Sequence, residues 1–512
     1  MTKSAFVKGT FILTIAGLLS KVVGSVFRIP LQNIAGDEVL GIFSLVYPVY
    51  MVALILSVAG IPLAISKLIA EANTESKGSA VKEIFTTASI LALLFGILSF
   101  TIIFTFSASI ADLLGGPATE LALVVVAATL IIAPYMAVYR GFFQGYGQME
   151  PTAVSQVIEQ FIRVGLILFF AYYLVSRNAT NEVIAGGIMI GSVVGAAASL
   201  FYLRFKYSRS HLKLPITKKY SFSTFSHYSK RILTLSIPIA IGSITMALLN
   251  FVDSFTISYG FRSAGISTND INYLYGIYGR GLSLTQITTV FATSIVLPLV
   301  PLISARLAEK NKAGMRDIIE KTYRMTHLIS WPAAIGLLAL TLPLNHALFT
   351  NLEGSSMLAV INFSSVFTSL TILGTGILQG IDLFKPAAFI ILIGVGLKTV
   401  TNIYFIHYLG LDGAALSTLL VYIFLFVINT IYIYKHVRFK VISFDTVKII
   451  CSSLTMGIII GFPTLMFNLE NWNRITSFVY VITAILLGAL LYLGQLLLFK
   501  VVDKNKLLNI KN

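Results

Sequence analysis

Residues 120–139 read ELALVVVAATLIIAPYMAVY, and this unbroken apolar run decides the fold. A helix that crosses a bilayer needs about 20 mostly apolar residues, whereas a membrane barrel strand alternates apolar and polar over about ten. Nothing here alternates. Fourteen such stretches occur, centred on 8–28, 40–61, 84–108, 119–141, 151–175, 184–205, 231–256, 281–303, 326–348, 357–380, 386–407, 412–434, 446–467 and 476–499. The second holds Pro48 and ends in Gly60-Ile61-Pro62, breaks that membrane helices tolerate where neighbours satisfy the freed backbone. With 56% hydrophobic and 11% charged residues and a mean hydropathy of +0.87, the chain reads as an all-α polytopic membrane protein with 14 transmembrane helices.

Charge placement orients these helices. Of the 37 lysines and arginines, 29 fall in the tails and in the loops assigned to one side, while that side's opposite keeps Arg28, Arg177, Arg262, Arg280 and Arg474. Asp37, Glu38, Asp112, Glu120, Glu353 and Glu470 collect with these five. The positive-inside rule puts both termini in the cytoplasm, which an even helix count also requires. The net charge of +16 is therefore mostly topology and does not point to nucleic acid. The first apolar run is long enough to span and lacks a small-residue cleavage site, so it is expected to remain as the first helix. The lone Cys451 can form no internal disulfide.

The chain also repeats. At a shift of 235, Gly41-Ile42-Phe43 falls on Gly276-Ile277-Tyr278, Gly141-Phe142-Phe143-Gln144-Gly145 on Gly376-Ile377-Leu378-Gln379-Gly380, and Pro151 on Pro386. Segments 62–83 and 299–324 correspond more loosely, each a candidate interfacial helix after the second helix of its half. The organisation expected is an N-terminal lobe at 1–205, a basic cytoplasmic linker at 206–230, a C-terminal lobe at 231–434, and two further helices with a tail at 435–512. Six helices per repeat preserve orientation, so the two lobes should be related by a pseudo-two-fold along the membrane normal.

Small-xxx-small spacing at Gly141/Gly145 and Gly376/Gly380, and again at Gly191/Gly195 and Gly457/Gly461, mostly means close helix packing. The informative residues are basic ones inside the spans: Lys21, Arg163 and Lys398, the last two in register across the repeat. A charge at mid-bilayer costs about 2.5–3.5 kcal/mol on insertion scales, which a wet cavity or a partner must offset. Glu159 stands four residues before Arg163 and offers an i,i+4 partner; Lys21 and Lys398 have no acid within one turn. Arg28 and Arg280 mark the outer ends of the first and eighth helices, where they either snorkel or recognise an anion. Arg280 lies in Tyr278-Gly279-Arg280-Gly281, whose glycines would leave an unshielded guanidinium suited to bidentate phosphate recognition. Asn250 and Asp253, three apart, either offer oxygens to a cation or simply end a helix.

Enzyme signatures are missing. The chain has no G-x-x-x-x-G-K-[ST], H-E-x-x-H or C-x-x-C, its six histidines are scattered, and no cofactor is implied.

At Ser20-Lys21-Val22-Val23-Gly24-Ser25-Val26-Phe27-Arg28, Gly60-Ile61-Pro62-Leu63-Ala64-Ile65-Ser66-Lys67 and Gly410-Leu411-Asp412-Gly413-Ala414-Ala415, the chain resembles the polysaccharide-exporter branch of the multidrug/oligosaccharidyl-lipid/polysaccharide superfamily, near SpoVB and the MurJ-type lipid II flippases. The resemblance covers nearly the whole chain. It implies a cationic central cavity drawing on Lys21, Arg28 and Arg280, and a groove for a lipid tail along the last two helices. Lysine replaces arginine at the first of these positions, and Arg28 is one residue out of step with the flippase pattern.

The implied function is export of an undecaprenyl-pyrophosphate-linked glycan from the inner to the outer leaflet of a bacterial cell membrane, by a monomer working through alternating access among membrane lipids. About two negative charges moving outward would each gain about 2.3 kcal/mol per 100 mV of inside-negative potential. A cation-coupled multidrug exporter of the same superfamily is the alternative, though organic cations call for buried carboxylates and the buried charges here are mostly basic. A membrane glycan polymerase or ligase would need a catalytic constellation in a large outer loop, and 257–280 shows only Arg262, Asp270 and Arg280.

Overall fold

The computed structural model describes residues 3–502 apart from 59, 75–77, 211–219 and 468. Lys77, Lys213, Lys218, Lys219, Lys504, Lys506 and Lys511, with most of the expected linker's basic run, lie outside them. All regular secondary structure among the described residues is helical, as backbone self-satisfaction in lipid requires. The chain divides into two compact units, Met1–Gly276 and Ile277–Asn512.

The first unit holds α1 (Lys3–Val26), α2 (Arg28–Val58), α3 (Ile61–Thr74), α4 (Gly78–Thr105), α5 (Ser107–Leu113), α6 (Glu120–Ala127), α7 (Thr129–Gly145), α8 (Glu150–Ser176), α9 (Asn181–Arg209), α10 (Phe222–Ser263) and the start of α11 (Thr268–Ala308). The second holds the rest of α11 with α12 (Lys312–Ala339), α13 (Thr341–Phe349), α14 (Ser355–Gly380), α15 (Phe384–His436), α16 (Phe444–Met466) and α17 (Arg474–Leu498). Every one of the fourteen apolar stretches falls on these helices. Among the described residues ten helical runs are long and apolar enough to cross a membrane, eleven if α12 and α13, bent by 74°, form one span. Two of the ten, Ile12–Thr74 and Phe384–His436, are 63 and 53 residues long, and each carries two of the fourteen stretches.

The break inside α15 explains one motif. Gly410 sits at φ 56°, ψ −130°, a conformation that a residue with Cβ avoids. Three residues on, Gly413 lies so close to the Phe405 carbonyl that a methyl group would overlap it. The Gly-Leu-Asp-Gly stretch thus folds two apolar helices back on each other in very few residues.

Each unit packs its repeated glycines the same way. Gly141 and Gly145 of α7 rest on Pro62, Ile65 and Ile69 of α3, while Gly376 and Gly380 of α14 rest on Val296 and Ile303 of α11. Without side chains the backbones interlock at short range, the small-residue contact of membrane bundles. The expected interfacial helices differ, however. In the first unit residues 62–83 take in most of α3, a separate helix of 14 residues, and the start of α4, whereas in the second residues 299–324 run from the end of α11 through the turn at Lys310 into α12.

The repeat meets itself where α2 crosses the start of α11. A methyl at Gly41 would strike the Asn272 carbonyl, and one at Gly276 the Asp37 carbonyl. Gly41 and Gly276 are 235 residues apart, and so are Asp37 and Asn272. The contact is thus reciprocal, i on j and j on i.

Candidate substrate-binding site

Close packing of α8 on α9 prepares the site. Gly191 and Gly195 lie against the Arg163 and Glu159 carbonyls, which brings the two backbones together and sends the long polar side chains of α8 elsewhere. Glu159 reaches Arg140 at 2.7 Å, and Arg140 also donates to Ser155 at 3.0 Å and Ser199 at 3.1 Å. Glu159, offered by its spacing as an i,i+4 partner for Arg163, makes its ion pair with an arginine from α7, while its charge still acts on Arg163. Arg163 donates instead to the Gln160 side-chain oxygen, and both residues reach Gly24 of α1.

Arg28 lies in the same cluster. It is 5% exposed, and its guanidinium stands over the rings of Phe43 at 5.4 Å and Tyr47 at 5.9 Å, which stack on each other with centroids 5.2 Å apart. Aromatic faces stabilise a cation without neutralising it. Arg28 and Arg163 are near enough for each charge to act on the other, with Tyr47 beside both. On the far side, Tyr275 feels Arg28 and Asp253 together, and its hydroxyl is 3.5 Å from that of Ser254. Two buried donors, Arg28 Nε and Gln160 Nε2, have no hydrogen-bond partner among the described residues. Arg28 therefore does not snorkel to the interface as its position at a helix end allowed.

Lys21, two turns before Arg28, has an exposed side chain, and Ser25 donates to its carbonyl at 2.8 Å. Asn250 and Asp253 lie in this unit too. Asp253 is buried, and among the described residues no group of three or more His, Cys, Asp or Glu side chains is placed to hold a metal ion.

Arg280 and Lys398 occupy the second unit in a different manner. Arg280 is 0% exposed; it donates to Asn351 Oδ1 at 2.7 Å and Asn345 Oδ1 at 3.2 Å and lies 5.3 Å from the centre of the Phe349 ring. The flanking glycines do not leave it unshielded, because α13 and the turn after it close over the guanidinium. Lys398, 1% exposed, donates to Thr418 Oγ1 at 2.9 Å and faces the Tyr422 ring at 5.7 Å. Thr418 in turn meets the Tyr278 hydroxyl at 3.1 Å. The neutral clasp of Arg280, and the places of Tyr47 and Gln160 beside the first-unit arginines, carry no local sequence signal.

Residues 6–306 match the profile of the polysaccharide biosynthesis protein family. The chain belongs to this family. Its relatives include the uncharacterized membrane protein YabM of Bacillus subtilis, 31% identical over 412 residues, which are 80% of this chain and 76% of that protein. The lipid II flippase MurJ of the same bacterium is 26% identical over 529 residues, covering 97% and 96%. Among solved structures, an inward closed lipid II flippase MurJ superposes with a TM-score of 0.68 at 17% identity, over 96% of this chain and 98% of that one. An inward-facing MATE multidrug transporter does so at 0.65 and 16%, over 81% and 95%. The family member is thus a multi-pass membrane protein with the fold of the multidrug/oligosaccharidyl-lipid/polysaccharide superfamily.

Proposed function

We propose that this family member is a flippase that carries a lipid-linked, anionic glycan precursor, of the lipid II or envelope-polysaccharide kind, from the inner to the outer leaflet of the bacterial cytoplasmic membrane. The observation that carries this reading is the Arg28–Arg163 cluster. A buried and a half-buried guanidinium stand close together, the nearest carboxylate on α8 is paired with Arg140, and two buried N–H donors await acceptors. A ligand with several anionic oxygens in one place, as a pyrophosphate has, satisfies all of these at once. Lys21 adds a third cation on the same side of α1. Arg280 and Lys398, internally hydrogen-bonded, serve the second unit as interior charges that set its electrostatic sign.

Two apolar grooves support the lipid part of the cargo. One, of about 500 Å³, is lined by residues of α12, α13, α16 and α17; the other, of about 510 Å³, lies between α12, α14 and α16. Both involve helices outside the six-plus-six repeat, where a polyprenyl chain can stay in an apolar surrounding while its headgroup moves. Transport proceeds by alternating access of a monomer, the 1–205 and 231–434 lobes rocking about the pseudo-two-fold. The relative named as a lipid II flippase, similar over nearly the full length of both chains, supports this choice over a drug exporter.

Depletion in the native bacterium should make an undecaprenyl-pyrophosphate-linked precursor accumulate on the inner leaflet, and the purified chain in liposomes should move that lipid across. Unchanged precursor pools together with transport of organic cations would establish the drug-exporter reading instead. For orientation, cysteines at Ser263 and Glu353 in a Cys451→Ser background should react with an impermeant thiol reagent in intact cells, and one at Ser210 should not. Glu353 is exposed, whereas the neighbouring Ser355 is held by Asn345 at 2.9 Å. The opposite labelling pattern would invert the membrane topology.

A further inference from the structure

Away from the arginine cluster, the second unit carries a pocket of about 310 Å³ where α11 ends, α12 begins and α15 ends. Arg306, Lys310, Lys312 and His436 line it, with no carboxylate among the lining residues. Its floor is apolar: Met315, Ile381 and Val437 are all buried. The turn that supplies the lysines is well defined. Lys310 closes α11 in the left-handed region at φ 55°, and its amide donates to the Leu307 carbonyl at 2.9 Å. Asn311 then caps α12 by accepting from the Gly314 amide at 2.8 Å.

Neighbouring groups leave the pocket positive. Arg306 shares an exposed pair with Glu309 at 2.7 Å, which is worth little in solvent. The His436 ring is stacked on Tyr432 at 5.3 Å, with Nδ1 2.9 Å from the Tyr432 carbonyl. That leaves the two lysines with no acidic side chain lining their pocket among the described residues, next to the positive N-terminal end of a 28-residue helix. The pocket lies at the ends of spanning helices, on the side that the charge bias assigns to the cytoplasm, at the level of lipid headgroups. A cationic rim over an apolar floor is the combination that an amphiphilic anion needs.

We propose that this pocket is a binding site for the phosphate group of an anionic phospholipid from the cytoplasmic leaflet, distinct from the transported cargo. The phosphodiester meets Lys310, Lys312 and His436, and the glycerol and first acyl carbons lie on Met315, Ile381 and Val437. Such a lipid would tie together the ends of α11, α12 and α15. The chemistry required is an accessible phosphate, which a soluble phosphate ester also possesses, so the test separates the two sources.

The full chain, purified in a neutral detergent, is heated with phosphatidylglycerol, with phosphatidylcholine, or with glycerol phosphate, and its unfolding midpoint is followed. Phosphatidylglycerol should raise the midpoint saturably, and phosphatidylcholine should not. In a Lys310→Asn/Lys312→Gln/His436→Gln variant at least half of that shift should disappear, while Arg209→Gln, a basic change in the other unit, should keep it. Should the triple variant fail to fold, Lys312→Gln alone, at the solvent-facing first turn of α12, should still weaken the apparent affinity several-fold. A glycerol phosphate shift of equal size, lost in the same variants, would assign the site to a soluble phosphate ester. Equal responses of wild type and pocket variants to phosphatidylglycerol would overturn the proposal.

Discussion

Arg28, at the start of α2, and Arg280, inside α11, are both buried and both lie over an aromatic ring, yet their surroundings do opposite things. Arg280 is finished: two asparagine oxygens accept from it at 2.7 and 3.2 Å, and Phe349 covers the plane. Arg28 is unfinished. It is neighboured by aromatic faces and a second arginine, and its Nε has no acceptor among the described residues. A buried charge is costly unless hydrogen bonds compensate it. On the function proposed above, the compensated arginine belongs to the scaffold, and the uncompensated one is set up for a ligand that brings its own acceptors.

The largest expected effect tests that difference directly. Arg28→Ala should lower flipping by about 10- to 100-fold, the value of one lost charge-assisted contact of about 1.5–3 kcal/mol, while the amount of folded protein stays near normal. Arg28→Lys should recover part of the rate, since the ammonium keeps the charge and loses the planar fork. Arg280→Ala should do the reverse. Leaving the buried Asn345 oxygen without this donor costs about 1–3 kcal/mol, so abundance and unfolding midpoint fall first, and the surviving protein transports. Purified-protein yields and flipping rates of the two variants, measured side by side, decide the matter. If Arg280→Ala folds normally and fails to flip, the two arginines are equivalent after all.

What the amino-acid sequence revealed, and what it concealed, follows from the range of the interactions. Long apolar runs and glycines recurring at a fixed shift are local or periodic, so the helices and the recurring glycine motifs could be read in advance, whereas the turn at Gly410 and Gly413 was not. The presence of basic residues inside spans could be read too. Their partners could not. Asn345 and Asn351 lie 65 and 71 residues beyond Arg280, and Glu159 sits at the right helical spacing for Arg163 yet pairs with Arg140, 19 residues upstream. An i,i+4 pair within one helix competes with any arginine that tertiary packing delivers, and here the delivered one wins.

A smaller effect tests the reciprocal contact between α2 and the start of α11. Alanine at Gly41 or at Gly276 forces a methyl group into the Asn272 or Asp37 carbonyl, and overpacking of this kind typically costs about 1–3 kcal/mol. Because the contact is reciprocal, the two single variants should lower the unfolding midpoint by similar amounts. The double variant should lose less than the sum, since one shift of α2 against α11 relieves both clashes. Strongly unequal single effects, or full additivity, would show that the crossing is not a two-fold contact.

The smallest expected effect concerns Lys398, the residue in register with Arg163. Register predicts a shared role, whereas the surroundings differ: Arg163 is half-buried beside Arg28, and Lys398 is sealed against Thr418 and Tyr422. Methionine has nearly the length and volume of lysine and no charge to desolvate. Replacing buried charged groups by apolar ones of similar shape is often neutral or stabilising. Lys398→Met should therefore leave the unfolding midpoint within about 1 kcal/mol of wild type and keep most of the flipping rate. Arg163→Met should resemble Arg28→Ala and lose transport with little loss of protein. If Lys398→Met instead abolishes transport in a well-folded protein, the ammonium is needed in the transport cycle, and the basic residues of both halves share one task.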